Sequence, residues 1–289
     1  MFRTRLDRCL TLCVFRALGT TGSGRRGGRL PVLMYHSISN DLEQGVHPYY
    51  KVATAPARFA EHMQWLSDHG FRGTSVEEAL PGSLDARNDS HRVAITFDDG
   101  FQDFYMTAWP VLQRHGFTAT IYLPTAFVAS RRKSFCGKDC LTWDEVRELR
   151  RHGIRVGSHT VNHPRLYDLA WKEIGDELRL SKDCIEQQLG EEIRSFAYPY
   201  AFPQEDRGFT ELLAAQLRLR GYRNCATTMI GRAQPCKEEF HLPRLPINSD
   251  DDQALFSAKL AGAYDWVSAG QGIVRRARGL ARGRCPRRA

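Results

Sequence analysis

With 289 residues, 42% of them hydrophobic and 26% charged, the chain can bury a sizeable core and is excluded from the disordered class. The length suits one large domain, as α/β barrels often use, or two small ones. The formal net charge of +8 sits largely on the ends, because the first 29 residues are Arg-rich and the chain from Arg275 reads RRARGLARGRCPRRA. Such tails suit an anionic membrane surface or plain solvation. A nucleic-acid partner is not expected, since it would explain the charge and none of the motifs below.

In chain order, Leu10–Phe15 is an apolar run cut by Arg16. It is too short for a membrane span and weak as a secretory leader, and its spacing suits a short amphipathic helix that could lie on a membrane surface. The expected location is cytoplasmic, with room for membrane association. Residues 19–29 (GTTGSGRRGGR) have linker composition. Three segments follow from this: a basic N-terminal segment and linker over 1–29, a folded domain over 30–267, and a basic tail over 268–289. Eight cysteines, at positions 9, 13, 136, 140, 184, 225, 236 and 285, include no CxxC pair. They read as free thiols of a reducing compartment, with a Cys136–Cys140 or Cys225–Cys236 bridge as the lesser alternative.

Pro31–Tyr35 is an apolar strand that stops at His36. Helices are expected over 57–69, where Phe59, Met63 and Leu66 share a face, and over 75–80, followed by a polar loop over 81–91. The strand Val93–Phe97 then ends in Asp98-Asp99-Gly100. Two adjacent carboxylates on extended backbone point in different directions, so one can hold a cation while the other stays free as a base. A helix over 104–115 carries Pro110, which predicts a kink or a late start. After a strand over 118–123 and a polar, Cys-bearing loop over 130–140, Thr142 with Glu145 makes a capping box for a helix to His152. The strand 154–157 ends at Ser158-His159. Helices over 170–189 and 208–220, strands over 195–198, 224–227 and 242–247, and a helix over 253–263 complete the pattern. This alternation predicts an α/β fold with a parallel, closed or nearly closed barrel, and groups such as His36, Asp98, Asp99, His159, Tyr200 and Arg244 collect at or near the C-terminal strand ends.

His159 and His163 are four apart and can converge on one cation if the segment makes a helical turn. With Asp99 they form a two-His, one-carboxylate set that suits zinc or another divalent transition metal.

At Thr96–Gly100 (TFDDG), His159–His163 (HTVNH) and Phe196–Tyr200 (FAYPY) the chain resembles the polysaccharide deacetylases, the NodB-homology domain of carbohydrate esterases. PVLMYH at 31–36, the Thr118-Ala119-Thr120 strand and the WDEVREL helix before HTVNHPRL extend the resemblance over roughly residues 30 to 265. It implies a single distorted (β/α) barrel domain with flexible basic tails. It further implies a metal, zinc with cobalt, nickel or manganese as options, on Asp99, His159 and His163. Asp98 would be the base that deprotonates the water attacking an N-acetyl group of an N-acetylhexosamine in a glycan or glycolipid. The Tyr200 backbone N–H would stabilise the oxyanion, and the Tyr198-Pro199-Tyr200 segment would bind substrate, Tyr198 and Tyr200 by stacking on a sugar or, for Tyr198, packing in the core instead. Two positions depart from the family pattern. Ala197 stands where many members have Arg, and Leu242-Pro243-Arg244 stands where many have a Leu-x-His, with His241 out of register. This pattern is similar to the branch whose acid is the N-terminal His, so His36 is expected as the acid and Arg244 as the cation that orients Asp98. Ala201 also replaces a common Gly. The alternatives are a hydrolase of another amide or an O-acetyl ester, and a silent carbohydrate-binding domain.

Overall fold

The strands form a ring in which both faces are buried, an apolar outer face under the helices and a partly polar inner one. The computed structural model describes residues 5–16, 29–41, 43–47, 50–80, 91–234 and 237–267. Seven parallel strands close on themselves: β1 (Val32–Tyr35), β3 (Arg92–Phe97), β4 (Thr120–Leu123), β7 (Arg155–Ser158), β8 (Ser195–Ala197), β9 (Asn224–Ile230) and β10 (Leu242–Pro246). β1 completes the ring by pairing with β3 on one side (Leu33 with Ile95) and β10 on the other (Leu33 with Leu245). An eighth strand, β2 (Arg72–Thr74), pairs with the first half of β3, and Thr118 N–H reaches the Gly73 carbonyl at 3.1 Å. β2 is thus wedged between β3 and β4 at their N-terminal ends, and this distorts the barrel. The fold is the closed parallel barrel that the alternation predicts, distorted as the resemblance implies.

Alternation along each strand sorts the side chains. Leu33, Tyr35, Ile95, Phe97, Ile121 and Val156 face outward into one large core with the helices, including Phe59, Met63 and Leu66 of α2 (Pro56–Asp68). Leu30, Val32, Ala94 and Leu242 close the N-terminal end of the ring with Val76 and Ala79 of α3 (Val76–Ala79). Inside, Tyr122, Ala197 and Ala226 form a small separate cluster. The Tyr122 hydroxyl meets Ser195 Oγ at 2.8 Å, and Ser195 Oγ donates to Asn224 Oδ1 at 2.6 Å, so the interior is partly polar and internally hydrogen-bonded. Gly157 is required beside this ring, because a Cβ there would lie 2.5 Å from Tyr122 carbons.

The remaining helices are α1 (Leu6–Leu10), α4 (Trp109–Arg114), α5 (Trp143–Arg151), α6 (Trp171–Leu189), α7 (Arg207–Leu219) and α8 (Gln253–Ala261). Pro110 sits in the first turn of α4, where its missing N–H costs nothing, after a wide π-helical turn over Phe104–Ala108. The Thr142 capping box forms as expected, with Glu145 Oε2 accepting from Thr142 N–H at 2.8 Å. The segment 130–140, expected as a plain loop, carries a two-stranded hairpin, β5 (Ser134–Phe135) and β6 (Lys138–Asp139).

The expected N-terminal helix forms, and it docks on the C-terminal part of the barrel domain. Arg8 makes a bidentate pair with Asp252 (2.7 and 2.7 Å), Tyr264 donates to Asp7 at 2.7 Å, and Phe15 stacks on Trp266 at 5.0 Å. Its outer face exposes Leu6, Leu10 and Val14. The linker over 17–28, the loop over 81–90, Cys236 and the tail over 268–289 lie outside the described residues. Among the described cysteines, Cys9, Cys13, Cys136, Cys140, Cys184 and Cys225 are free thiols, so Cys136 and Cys140 are not bridged. No helix of the described residues is long and apolar enough to cross a membrane.

One buried histidine away from the strand ends gives the fold an acid sensitivity. His62 of α2 is sealed between Tyr35, whose hydroxyl meets Nδ1 at 3.1 Å, the Asp251 carbonyl, which meets Nε2 at 2.7 Å, and the stacked Phe256 ring. Burial pushes its pKa down to about 4. The unfolded chain therefore binds this proton first, and the stability it contributes above about pH 6.5 is lost as pH falls toward 4. The loss reaches on the order of 3 kcal/mol at about 1.4 kcal/mol per pKa unit. Urea unfolding at pH 7 and pH 4 should show a shallower acid loss in His62→Gln than in the wild type.

Candidate active site and metal centre

β3 delivers the two acidic residues in opposite senses. Asp98 continues the inward phase of Ala94 and Thr96, and its N–H still pairs with the Tyr35 carbonyl at 3.0 Å. Its carboxylate is met by Arg244 of β10 in a bidentate pair, Nη1 to Oδ1 and Nη2 to Oδ2, both at 2.7 Å. Arg244 has 0% exposure, and two of its other donors go to the Thr227 carbonyl (2.9 Å) and Thr96 Oγ1 (3.1 Å). Burial works against ionisation of Asp98, but the Arg244 guanidinium overrides it and holds the carboxyl below the usual range. A carboxylate has about four lone-pair sites, so the pair leaves acceptor capacity on Asp98. His36, directly after β1, places Nε2 3.9 Å from Asp98 Oδ2.

Asp99 leaves the strand phase with φ of 70°, in the left-handed region, and so turns away from its neighbour. Its Oδ1 lies 3.6 Å from His159 Nε2 and 3.3 Å from His163 Nε2, and the three ligand atoms all lie within 4.8 Å of one another. The histidines do not converge through a helical turn, as the spacing had suggested. Instead Thr160 (φ 70°) and His163 (φ 54°) both take left-handed backbone, which folds the segment back on itself. His163 N–H donates to Thr160 Oγ1 at 3.0 Å, inside the bend.

The donor set fits a divalent metal. Asp99 Oδ1 is buried and receives no well-aligned hydrogen bond. His159 Nδ1–H donates to the Ala197 carbonyl at 2.8 Å, which leaves the Nε2 lone pair aimed at the centre. Burial resists ionisation of Asp99, yet the two facing imidazoles hold its carboxyl far below the usual range. Burial likewise disfavours protonated imidazole; the facing Asp99 overrides it at His159, whose pKa is raised, and not at His163, whose pKa is lowered.

The Phe196–Tyr200 segment supplies the third side. Tyr200 has φ of 58°, is 46% exposed, and sets its ring 4.6 Å from that of His163. Thr228 Oγ1 donates to the Tyr200 carbonyl at 2.8 Å and fixes the turn beyond Pro199. Tyr198 is 1% exposed and packs edge-on against Phe202 at 5.0 Å, so its ring takes the core role and cannot stack on a sugar. His241 packs against the other side of this region, on Phe202, and does not face either carboxylate.

A family profile described as Polysaccharide deacetylase matches residues 85–222. YxkH of Bacillus subtilis (strain 168), named as a polysaccharide deacetylase, is 31% identical over 231 residues, 80% of this chain and 75% of its own. The chain belongs to the polysaccharide deacetylase family. It is a hydrolase acting on carbon–nitrogen bonds other than peptide bonds. The solved structure of the Streptococcus pyogenes deacetylase PplD in complex with acetate is similar to it with a TM-score of 0.66 and 25% identity, covering 81% of this chain and 98% of that one. A poly-beta-1,6-N-acetyl-D-glucosamine N-deacetylase of Staphylococcus aureus (strain MSSA476) is 20% identical over 68% of this chain and 69% of its own.

In this deacetylase Ala197 and Ala226 pack with Tyr122, whose ring lies 5.9 Å from the Arg244 guanidinium, and Arg244 comes from β10, not from the β8 position of Ala197. Sequence reasoning missed Phe135, which brings the β5–β6 hairpin against His163 at 5.0 Å. The one signal was an apolar residue in a polar stretch. Lys138 of the same hairpin ties it to the segment after His36 through Ser37 Oγ (3.0 Å) and Ser39 Oγ (3.2 Å). The Arg244–Asp98 pair makes a direct prediction. Arg244→Met should lose about 3–5 kcal/mol by stranding a buried carboxylate, whereas the Asp98→Asn, Arg244→Met double variant should recover much of it. Chemical denaturation of the four proteins of this cycle measures both.

Proposed function

We propose that this deacetylase removes N-acetyl groups from N-acetylhexosamine units of a polysaccharide, oligosaccharide or glycolipid, with a divalent metal held by Asp99, His159 and His163. The observation that carries the reading is the divergence of the two adjacent carboxylates, Asp98 locked on Arg244 and Asp99 facing two imidazoles. The name of the Staphylococcus aureus relative, an N-deacetylase of poly-N-acetylglucosamine, supports the substrate class.

A bound zinc, or cobalt, nickel or manganese in its place, would polarise the acetyl carbonyl and lower the pKa of water at that position. Asp98, kept ionised by Arg244, takes the proton from the attacking water as it adds to the carbonyl carbon. The Tyr200 N–H donates to the oxygen that gains charge. Protonated His36 gives its proton to the amide nitrogen as the C–N bond breaks, so that acetate and a free amine leave. The exposed Tyr200 ring offers a face to the sugar. Arg244 does not touch substrate; it positions Asp98. An O-acetyl ester would pass through a similar tetrahedral state and is the close variant. Attachment to an anionic membrane face on the cytoplasmic side, through the Arg-rich residues 1–29 and 268–289, is a separable part of the proposal that co-sedimentation with anionic vesicles tests.

Acetate release should be measured on N-acetylglucosamine oligomers and acetylated glycolipids, after chelation and again after metal is restored. Release should vanish on chelation and return with metal. Asp98→Asn should keep metal binding and lose ~10²–10⁴-fold in kcat. Full turnover in Asp98→Asn would remove Asp98 from the base role. Metal and sugar binding without acetate release from the wild type would favour a binding domain.

A further inference from the structure

We infer that Glu177 of α6 is the positioning residue that holds the His159–His163 segment in its ligating shape. The inference rests on the metal reading above. The segment has no repeating secondary structure of its own, and its bend depends on left-handed backbone at Thr160 and His163. Something outside it must therefore supply partners. The loop after β4 takes the carbonyls, with Thr125 N–H on Thr160 O at 3.1 Å and Ala126 N–H on Val161 O at 2.9 Å. The two remaining amides at the crest go to one atom: Val161 N–H and Asn162 N–H both donate to Glu177 Oε2, at 2.7 and 3.0 Å. Glu177 Oε1 accepts from Asn162 Nδ2 at 2.7 Å.

This carboxylate is presented by a helix already registered on the strand that feeds the segment. Ser181, one turn beyond Glu177 on the same face, meets Ser158 Oγ at 2.7 Å. Hydrogen bonds to a charged acceptor are the strong kind, and adjacent backbone N–H groups converging on one anion define a local shape as well as an energy. The crest lies between the two histidines, which differ in how they are held. His159 is anchored by the Ala197 carbonyl, whereas His163 Nδ1 has no hydrogen-bond partner. Without Glu177 the bend can relax toward right-handed backbone, and His163 is the ligand that swings away from Asp99.

The test is a zinc titration of the metal-free proteins against a competing chelator dye, with thermal unfolding of the same metal-free samples. Glu177→Ala should bind zinc about 10–100-fold more weakly, the usual effect of removing a group that orients a ligand, and Glu177→Gln, with one acceptor oxygen left, should fall between. A purely structural role would lower metal-free stability and leave the zinc affinity of the folded protein unchanged. Glu177→Ala with wild-type zinc affinity overturns the inference, and if that variant fails to fold, Glu177→Gln decides on the same criterion. A wild type that binds no zinc, cobalt, nickel or manganese brings down the metal reading and this inference with it, an outcome distinct from equal binding by wild type and variant.

Discussion

A charge pair sealed inside the ring, Arg244 on Asp98, is the constraint on which the mouth of the barrel depends. Taking both charges out of water is expensive, and the cost is offset only when the pairing geometry is close and further hydrogen bonds support it. Here the guanidinium places four of its five donors on Asp98, Thr96 and the Thr227 carbonyl, and the Tyr122 ring lies 5.9 Å from its centre. Barrel interiors are ordinarily filled by layers of branched apolar side chains. In this one, a buried cation shares the interior with a small cluster of Tyr122, Ala197 and Ala226. Because Asp98 is held inward, Asp99 must do something else, and it does so by leaving extended backbone altogether.

That departure belongs to a pattern. Five non-glycine residues of the described chain have left-handed backbone: Asp99, Cys136, Thr160, His163 and Tyr200. Two of them are candidate ligands, Tyr200 is the candidate oxyanion donor, Thr160 makes the bend between the histidines, and Cys136 is at the turn of the hairpin whose Phe135 touches His163. Each such residue costs about 1–3 kcal/mol and persists only where its surroundings over-determine it. The rigid strand ends, the Thr160 hydroxyl and the Thr228 hydroxyl are those surroundings. Strain gathered at one end of a barrel whose other end is apolar and closed is the signature of a site preorganised before substrate arrives.

Much of this was legible in the sequence where the cause is local. A buried strand that stops at Asp98-Asp99-Gly100, the capping box at Thr142 and the change of helical geometry before Pro110 depend on neighbours a few residues away. The grouping of Asp99, His159 and His163 was legible from residue type and from the resemblance. Their manner of convergence was not, because His-x-x-x-His spacing carries a helical expectation and left-handed residues other than glycine leave no mark on composition. Arg5 and Arg8 looked like tail charge, yet their partners are Asp7, Asp251 and Asp252. The Asp252 partner of Arg8 is 244 positions along the chain, beyond the reach of any local pattern. Tyr198 carried two readings as sequence, sugar face or core, and the turn at Pro199 sends its ring into the core and that of Tyr200 into solvent.

The way the ring closes has a consequence for how the protein is made. β1 is paired with β3 and with β10, and the Leu33–Leu245 register joins the first strand to the last. On a ribosome, the first six strands of the ring can emerge and pair while the seam beside β1 stays open. Without β10, Asp98 would lack the guanidinium that pairs with it. The last strand therefore carries in the cation that makes the interior tenable, and closure and charge neutralisation become a single event. The barrel closes only through the β1–β10 seam, a contact of long sequence separation and therefore of high loop-closure cost.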